Sequence, residues 1–339
     1  MVTIADVAKA AGVSSSTVSY VLSGKRPISP TTRERVLRSI QRLGYHPHAG
    51  ARALASHKTN VLALVAPLRH DVVVPVIMQF ATAVVTAARR HDHDVLLLTQ
   101  DEGPDGIARV TSSAMVDALI VMDIESDDPR VPLLAERRQP AVLMGLPADP
   151  MGLSCVDLDF TAVGRLAVEH LVGHGHRAIA LIGQPSAAYA RGTSYAPRLL
   201  DGFTAGLRGS GNGVHGIAEP CEQTYAGVTE CLDRVLAQMP DVTGFVVHNE
   251  PALGPLLDQL RERGRLVPTD ASVVAICPTS DALSQPVRLT SIDIPASEVG
   301  TVAVEMVMNQ LQHGGGPETR LLAPHLTERN SCAPPPSTT

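Results

Sequence analysis

The 339-residue chain contains no tryptophan, and phenylalanine and tyrosine together leave it only 3% aromatic. Its core must therefore be aliphatic and alanine-rich, for which a hydrophobic content of 44% is ample. Cysteine is scarce as well. Cys155, Cys221, Cys231, Cys277 and Cys332 are odd in number, widely spaced and without a C-x-x-C pair, which fits reduced thiols in a cytoplasmic protein better than a disulfide framework. No run approaches the roughly eighteen apolar residues of a membrane span. The N-terminal stretch has capped helices where a signal peptide needs an apolar core. Catalytic signatures are equally thin. There is no P-loop and no G-x-S-x-G. Gly211-Asn212-Gly213-Val214-His215-Gly216 has the G-x-G-x-x-G spacing, but it follows a helical stretch where a dinucleotide site needs a strand, and it reads as a glycine-rich loop. His170 and His174 share a helix face, but Glu169 precedes the pair, so this is not H-E-x-x-H and reads as structural. No catalytic residue, metal or cofactor is expected.

What is present is an uneven charge. Residues 1–60 carry nine Lys/Arg against Asp6 and Glu34, a local excess of +7, while the rest of the chain carries −13, giving −6 overall. A small basic module on an acidic body suits DNA binding, because lysine and arginine neutralise phosphates and release counterions.

That basic module has a readable plan. Ile4, Val7, Ala8 and Ala11 recur at i, i+3, i+4 and i+7, with Thr3 as N-cap and Asp6 placed for a capping box. Gly12 allows a tight turn, Ser14 caps a second helix, and Val18, Val21 and Leu22 supply its buried stripe. Ser29-Pro30 opens a third helix whose apolar face is Val36, Leu37, Ile40 and Leu43, and Gly44 ends it. Two short helices about a glycine turn are the sequence form of a helix-turn-helix.

The runs Thr3-Ile4-Ala5-Asp6-Val7-Ala8, Ala11-Gly12-Val13-Ser14, Thr17-Val18-Ser19, Thr31-Thr32-Arg33-Glu34-Arg35-Val36 and Leu43-Gly44-Tyr45-His46-Pro47 resemble the DNA-binding headpiece of the LacI/GalR family. By position on the second helix, Ser15, Ser16 and Tyr20 are the expected base readers, and Thr17 and Ser19 the expected phosphate contacts. Thr3, Ser14, Arg26 and His48 complete the DNA-facing set. The segment 46–58 is a short, alanine-rich helix candidate, too weak to stand alone in water. The resemblance implies that it orders on DNA, with Leu54 wedged into the minor groove and Ala51 beside it; an ordinary linker leucine is the competing reading.

From residue 61 the pattern changes. Apolar strand candidates at 61–66, 95–99, 118–122, 141–144, 155–158, 178–183, 244–248, 272–276 and 289–292 alternate with helical stretches at 75–91, 104–115, 161–174, 198–208, 225–238, 252–263 and 296–312. Such alternation predicts parallel sheets covered on both faces, and about 270 residues exceed one such sheet. Runs such as Asp159 with Gly164, Asp201-Gly202-Phe203 and Leu289-Thr290-Ser291-Ile292 resemble the family's periplasmic-binding-protein-like core. The expected architecture is an α helix-turn-helix headpiece (1–47), a hinge (48–58) and an α/β two-lobed core, with 59–159 and 290–320 in the first lobe and 160–289 and 321–339 in the second.

Ligand is expected between the lobes at the carboxyl ends of strands. Candidate effector contacts are Asp71, Asp123, Arg191, Arg198, Asn249, Glu250 and Cys277. The chain departs from the family here. Ala275-Ile276-Cys277-Pro278 stands where relatives carry an aspartate, and Leu199 stands where they carry the effector-binding arginine. The resulting expectation is a cytoplasmic, dimeric, operator-binding repressor that senses a sugar or oligosaccharide. The 332–339 tail has no leucine heptads to support a tetramer. The competing readings are a transporter's solute-binding protein, which would need a signal peptide, and a sugar-processing enzyme, for which no catalytic constellation is present.

Overall fold

The computed structural model describes residues 2–23, 26–45, 58–69, 72–113, 115–211 and 213–336. The chain divides into two compact units, Met1–Thr59 and Asn60–Thr339.

The first unit is built from α1 (Ile4–Ala11), α2 (Ser15–Ser23) and α3 (Pro30–Leu43) around buried Val7, Ala8, Ala11, Val18, Val21 and Val36. Local chemistry sets each helix end. The Thr3 amide donates to the Asp6 carboxylate at 2.8 Å and the Asp6 amide to the Thr3 hydroxyl at 3.4 Å, closing the expected capping box. These bonds hold the Asp6 carboxyl below its ordinary pKa. Gly12 and Gly44 stop α1 and α3 at φ of 63° and 59°, where an L side chain is disfavoured. Two apolar residues depart from expectation: Leu22 and Leu37 are 39% and 47% exposed. Each follows a buried valine by one position, about 100° around the helix, and a core this small closes on the valines.

The second unit holds two doubly wound lobes. The sheet of the first orders β11-β5-β4-β3-β1-β2 and is parallel throughout. Its strands are β1 (Val61–Val65), β2 (Asp94–Leu98), β3 (Ala118–Val121), β4 (Ala141–Met144), β5 (Ser154–Leu158) and β11 (Thr319–Leu322). The sheet of the second orders β12-β10-β9-β8-β6-β7 and is parallel except where β12 pairs antiparallel with β10. Here the strands are β6 (Ala178–Ile182), β7 (His215–Glu219), β8 (Gly244–Val247), β9 (Ser272–Ile276), β10 (Thr290–Ile292) and β12 (Leu326–Thr327). Central strands such as β3, β4, β6, β8 and β9 are buried along their whole length, as continuous apolar runs require.

The lobe boundaries shift by a few residues from expectation. Thr290–Ile292 pairs with β9 and belongs to the second lobe, and Leu321 and Leu322 pair with β5 in the first. The crossings therefore lie at 159–160, 293–295 and 323–325. Sequence reading also misses β7, β11 and β12. Beside sheet neighbours on one flank only, β7 and β11 carry exposed polar residues and show no apolar run.

Covering helices fix the site-bearing segments. In the second lobe α7 (Phe160–Gly173) is capped by Asp159, which accepts from the Ala162 amide at 2.9 Å. It crosses α9 (Tyr195–Gly209) at unusually close range. A Cβ on Gly202 would lie 2.0 Å from the Thr161 carbonyl oxygen, and one on Gly164 2.2 Å from that of Leu199. Only paired glycines allow this approach, and it brings the first turn of α9 to the carboxyl end of the sheet. Among the described residues no helix is long and apolar enough to cross a membrane.

Candidate effector site and DNA-facing helix

In both sheets the strand order reverses beside the first strand, β1 or β6, and a ligand crevice forms at such a switch point. The second unit has a cavity of about 140 Å³ at this place. Its walls come from residues just beyond strand ends: Met122, Asp123 and Ile124 after β3, Met144 and Gly145 at β4, and Asp157 near the end of β5. From the other lobe come Gln184 after β6, His248 and Glu250 after β8, and Ile294 after β10. Val73, Val76, Ile77 and Phe80, at the start of α4 (Val74–Arg89), make an apolar wall. Phe160, Tyr195 and His248 form an aromatic cluster with ring centroids 5.5–5.7 Å apart.

The electrostatics are set by burial. Burial pushes the Glu250 carboxyl up to about 7 and the His248 imidazole down to about 4. Burial also raises Asp157, and Arg198 pulls it back only part of the way. The Nδ1 of His248 has no partner among the described residues. Neutral or neutralisable groups of this kind suit an uncharged polar ligand, whose hydroxyls and apolar faces need both surfaces.

The expected effector residues separate. Asp123 and Glu250 line the cavity. Arg198 reaches its edge indirectly: it ion-pairs with Asp157, donates to the Ser194 carbonyl at 2.9 Å and lies 5.6 Å from the Phe160 ring centroid. Three expectations need correction. Asn249 is fully buried and its amide donates to the carbonyls of Gly183 at 3.1 Å and Cys221 at 2.7 Å, so it ties loops together. Cys277 is sealed in the second-lobe core, where burial raises its thiol pKa well above the ordinary value, so it is neither a cleft residue nor a reactive thiolate. Arg191 spans the lobes instead of lining the cavity. Following α8 (Ser186–Ala190), it donates to Asp123 at 3.1 Å and Glu125 at 3.4 Å. Asp71 lies outside the described residues.

The ion pairs around Arg191 form a network. Arg69 binds Asp101 through two 2.8 Å bonds and also pairs with Asp123. Burial works against the Arg69 charge, but Asp101 and Asp123 outweigh it and keep its pKa above the ordinary value. Backbone bonds from Ser126 to Gly192 and from Ser194 to Ile124, at 2.7 and 3.0 Å, run beside it. Asp123 itself takes a left-handed φ of 53°, a conformation aspartate tolerates better than most residues. Residues missed in the sequence include Phe160, Gln184, Tyr195 and His248. Their common signal is position at or just beyond the end of a strand or in the first turn of a helix.

In the first unit Ser14 is a cap. Its hydroxyl accepts from the Thr17 amide at 3.2 Å and bonds Ser16 at 2.8 Å and Thr17 at 2.9 Å. Ser15 and Ser16 are exposed at the start of α2. Ser19 and Tyr20, half-buried, lie one turn on, and the exposed Arg26 guanidinium lies 5.1 Å from the Tyr20 ring centroid. Thr3 is occupied by its cap, its hydroxyl donating to Asp6 at 2.7 Å. His48, Ala51 and Leu54 lie outside the described residues.

Residues 3–48 match the model of bacterial regulatory proteins of the lacI family, and residues 168–332 match a periplasmic binding protein-like domain. Catabolite control protein A of Priestia megaterium is 28% identical over 333 residues, 96% of this chain and 98% of that protein. The HTH-type transcriptional regulator CelR of Thermobifida fusca is 28% identical over 97% of this chain and 98% of its own length. Among solved structures, a Lac repressor dimer bound to operator and the anti-inducer ONPF superposes with a TM-score of 0.83 at 23% identity, covering 98% of this chain and 99% of that one. A CelR–cellobiose complex follows with a TM-score of 0.71 at 26% identity, over 98% of this chain and all of that one.

Proposed function

The chain belongs to the LacI family of bacterial regulatory proteins, and we propose that it is a cytoplasmic repressor which binds a pseudo-palindromic operator as a dimer and responds to a sugar. It is a DNA-binding transcriptional regulator with a periplasmic-binding-protein-like effector domain, and its family is non-enzymatic. The single observation that carries the finer reading is the inter-lobe cavity, where an aromatic cluster faces Asp123, Asp157, Gln184 and Glu250. A pyranose offers that surface its complement: apolar C–H faces for Phe160 and Tyr195, and hydroxyl donors for the carboxylates. Cellobiose, the ligand in the complex of one solved relative, supports the same class.

On DNA, Ser15, Ser16 and Tyr20 read base edges, Thr17 and Ser19 contact phosphates, and Thr3, Ser14, Arg26 and His48 border the same face. Leu54, with Ala51, wedges the minor groove at the operator centre, where two hinges of a dimer meet. The expected domain plan is a headpiece to 47, a hinge over 48–58 and two lobes beyond. Effector binding shifts lobe closure, and it moves the operator equilibrium only by its differential affinity for the two states.

Selection of bound DNA from a random pool tests this. A palindromic motif is the expected result, and an absence of enrichment at moderate salt would sink it. Leu54→Ala is expected to weaken operator binding while sparing effector binding. For the effector, a thermal-shift screen of mono- and oligosaccharides should yield stabilising compounds whose effect disappears in Tyr195→Ala.

A further inference from the structure

In the second lobe, the helix α7 and the segment following β12 bring together His170, His174 and Glu328, whose ligand atoms all lie within 4.8 Å of one another. We propose that these three side chains bind a divalent transition-metal ion of the zinc class, a role that nothing in the repressor reading requires.

Helical spacing supplies the first two ligands. Residues at i and i+4 project from one face, and the two imidazole rings stand with centroids 4.5 Å apart. The third ligand is 154 residues away in sequence and is delivered by well-anchored chain. Arg329 donates to the Leu289 carbonyl at 2.8 Å and the Ser291 hydroxyl at 2.7 Å, and Ser331 donates to the Val273 carbonyl at 2.6 Å. Glu328 is thereby held at the edge of α7 while its side chain stays 63% exposed and free to adjust.

The hydrogen bonding is compatible with a bound metal ion. Nδ1 of His174 lies 2.9 Å from the His170 carbonyl oxygen, which can only accept, so this nitrogen carries the proton. Nε2 then faces the Glu328 carboxylate oxygen at 3.5 Å, a contact that either a second ring proton or a metal ion can bridge. A carbonyl bond to the far nitrogen is also the arrangement that orients a metal-binding histidine. Nε2 of His170 is buried with no partner among the described residues. His176, two residues on, is not available: its nitrogens are 2.9 Å from the Thr243 hydroxyl and 3.0 Å from the Ala333 carbonyl. Tetrahedral zinc with bonds of about 2.1 Å places its ligands roughly 3.4 Å apart. The His174–Glu328 separation of 3.5 Å already meets this, and side-chain rotations within the cluster, whose ligand atoms all lie within 4.8 Å, would close the rest. Water completes the coordination from the exposed side.

The test uses full-length, tag-free protein stripped with a chelator. Zinc chloride titration by calorimetry at neutral pH is expected to show one specific site per chain, with Co2+ giving tetrahedral ligand-field bands. His174→Gln should weaken binding at least about 100-fold and Glu328→Gln about 10-fold, with circular dichroism of both variants unchanged. His170→Gln should also abolish the Co2+ bands. Absence of a specific site in the wild type overturns the proposal, and so does wild-type affinity in both His174→Gln and Glu328→Gln.

Discussion

Replacing Gly202 by alanine adds one methyl group at the α7–α9 crossing, and its consequence can be worked from the structure. The new Cβ would meet the Thr161 carbonyl oxygen at 2.0 Å and its carbon at 2.8 Å. Both belong to helical backbone and cannot rotate away, so the helices must part by about 1 Å. A gap of that size forfeits roughly a quarter to a half of the dispersion well for each atom pair, and a large buried side chain makes some 40–60 such pairs at about 0.1–0.2 kcal/mol each. Phe203 and Leu199 pack with Val163, Ala167 and Val168 across this crossing. The loss is therefore about 1–6 kcal/mol for a large side chain with all its pairs across the crossing, and less in proportion to the share that lies there, offset by at most about 1 kcal/mol from alanine's better helix propensity. We expect Gly202→Ala to destabilise the protein by about 3 kcal/mol in urea unfolding. Gly209 ends the same helix with no atom within 4 Å of its notional Cβ, which makes Gly209→Ala the control, expected to be neutral or slightly stabilising. Because α9 also carries Tyr195 and Arg198 at the cavity, Gly202→Ala should weaken effector binding without touching the ligand. Equal unfolding midpoints for the two variants would refute the close-packing account.

Other perturbations address the charges. Glu250 has a raised carboxyl pKa, so its ionisation opposes folding, and stability should fall as pH rises from about 4.5 towards 7. Glu250→Gln should then match the wild type near pH 4.5 and exceed it at pH 8 by up to about 3 kcal/mol, less where solvent screens the site; a pH-independent difference would contradict this. His248 acts in the opposite sense: its lowered pKa costs stability as pH falls from 6.5 towards 4, a slope that His248→Gln should remove. Arg191→Met removes one of the two arginines that, among the described residues, pair with the buried Asp123. We expect a loss of about 1–2 kcal/mol in thermal or urea unfolding and a shifted effector affinity, whereas Arg69→Met, which also unpairs the half-exposed Asp101, should cost about 2–3 kcal/mol. In the headpiece Thr3→Ala removes a complete capping box and should cost about 1 kcal/mol, measured on the unfolding of residues 1–59 within the full chain.

The capped helices of residues 3–44 were legible from order alone, because a cap, a turn glycine and an i, i+3, i+4 stripe are local chemistry. Buried parallel strands were legible for a similar reason: an apolar run such as Ala141–Met144 or Ser272–Ile276 has no other stable place. Edge strands such as His215–Glu219 lacked that signal because they are only partly covered: Ile217 packs on the core while His215 and Ala218 are exposed. The effector site was half legible. Asp123 and Glu250 follow strand ends and could be placed, but Arg191 looked like a ligand contact until Asp123 and Glu125 were seen to occupy it.

Sequence by itself thus determined the headpiece, the two-lobed class and the family, all of which rest on neighbours within a few turns of chain. Tertiary structure alone decided which charges are spent on each other, that Asn249 ties loops and Cys277 fills core, and that Glu328 meets His170 and His174. The physical reason is sequence distance. Whether a polar side chain is a ligand, a latch or a cap depends on partners tens to hundreds of residues away, and only the folded chain brings them within bonding range.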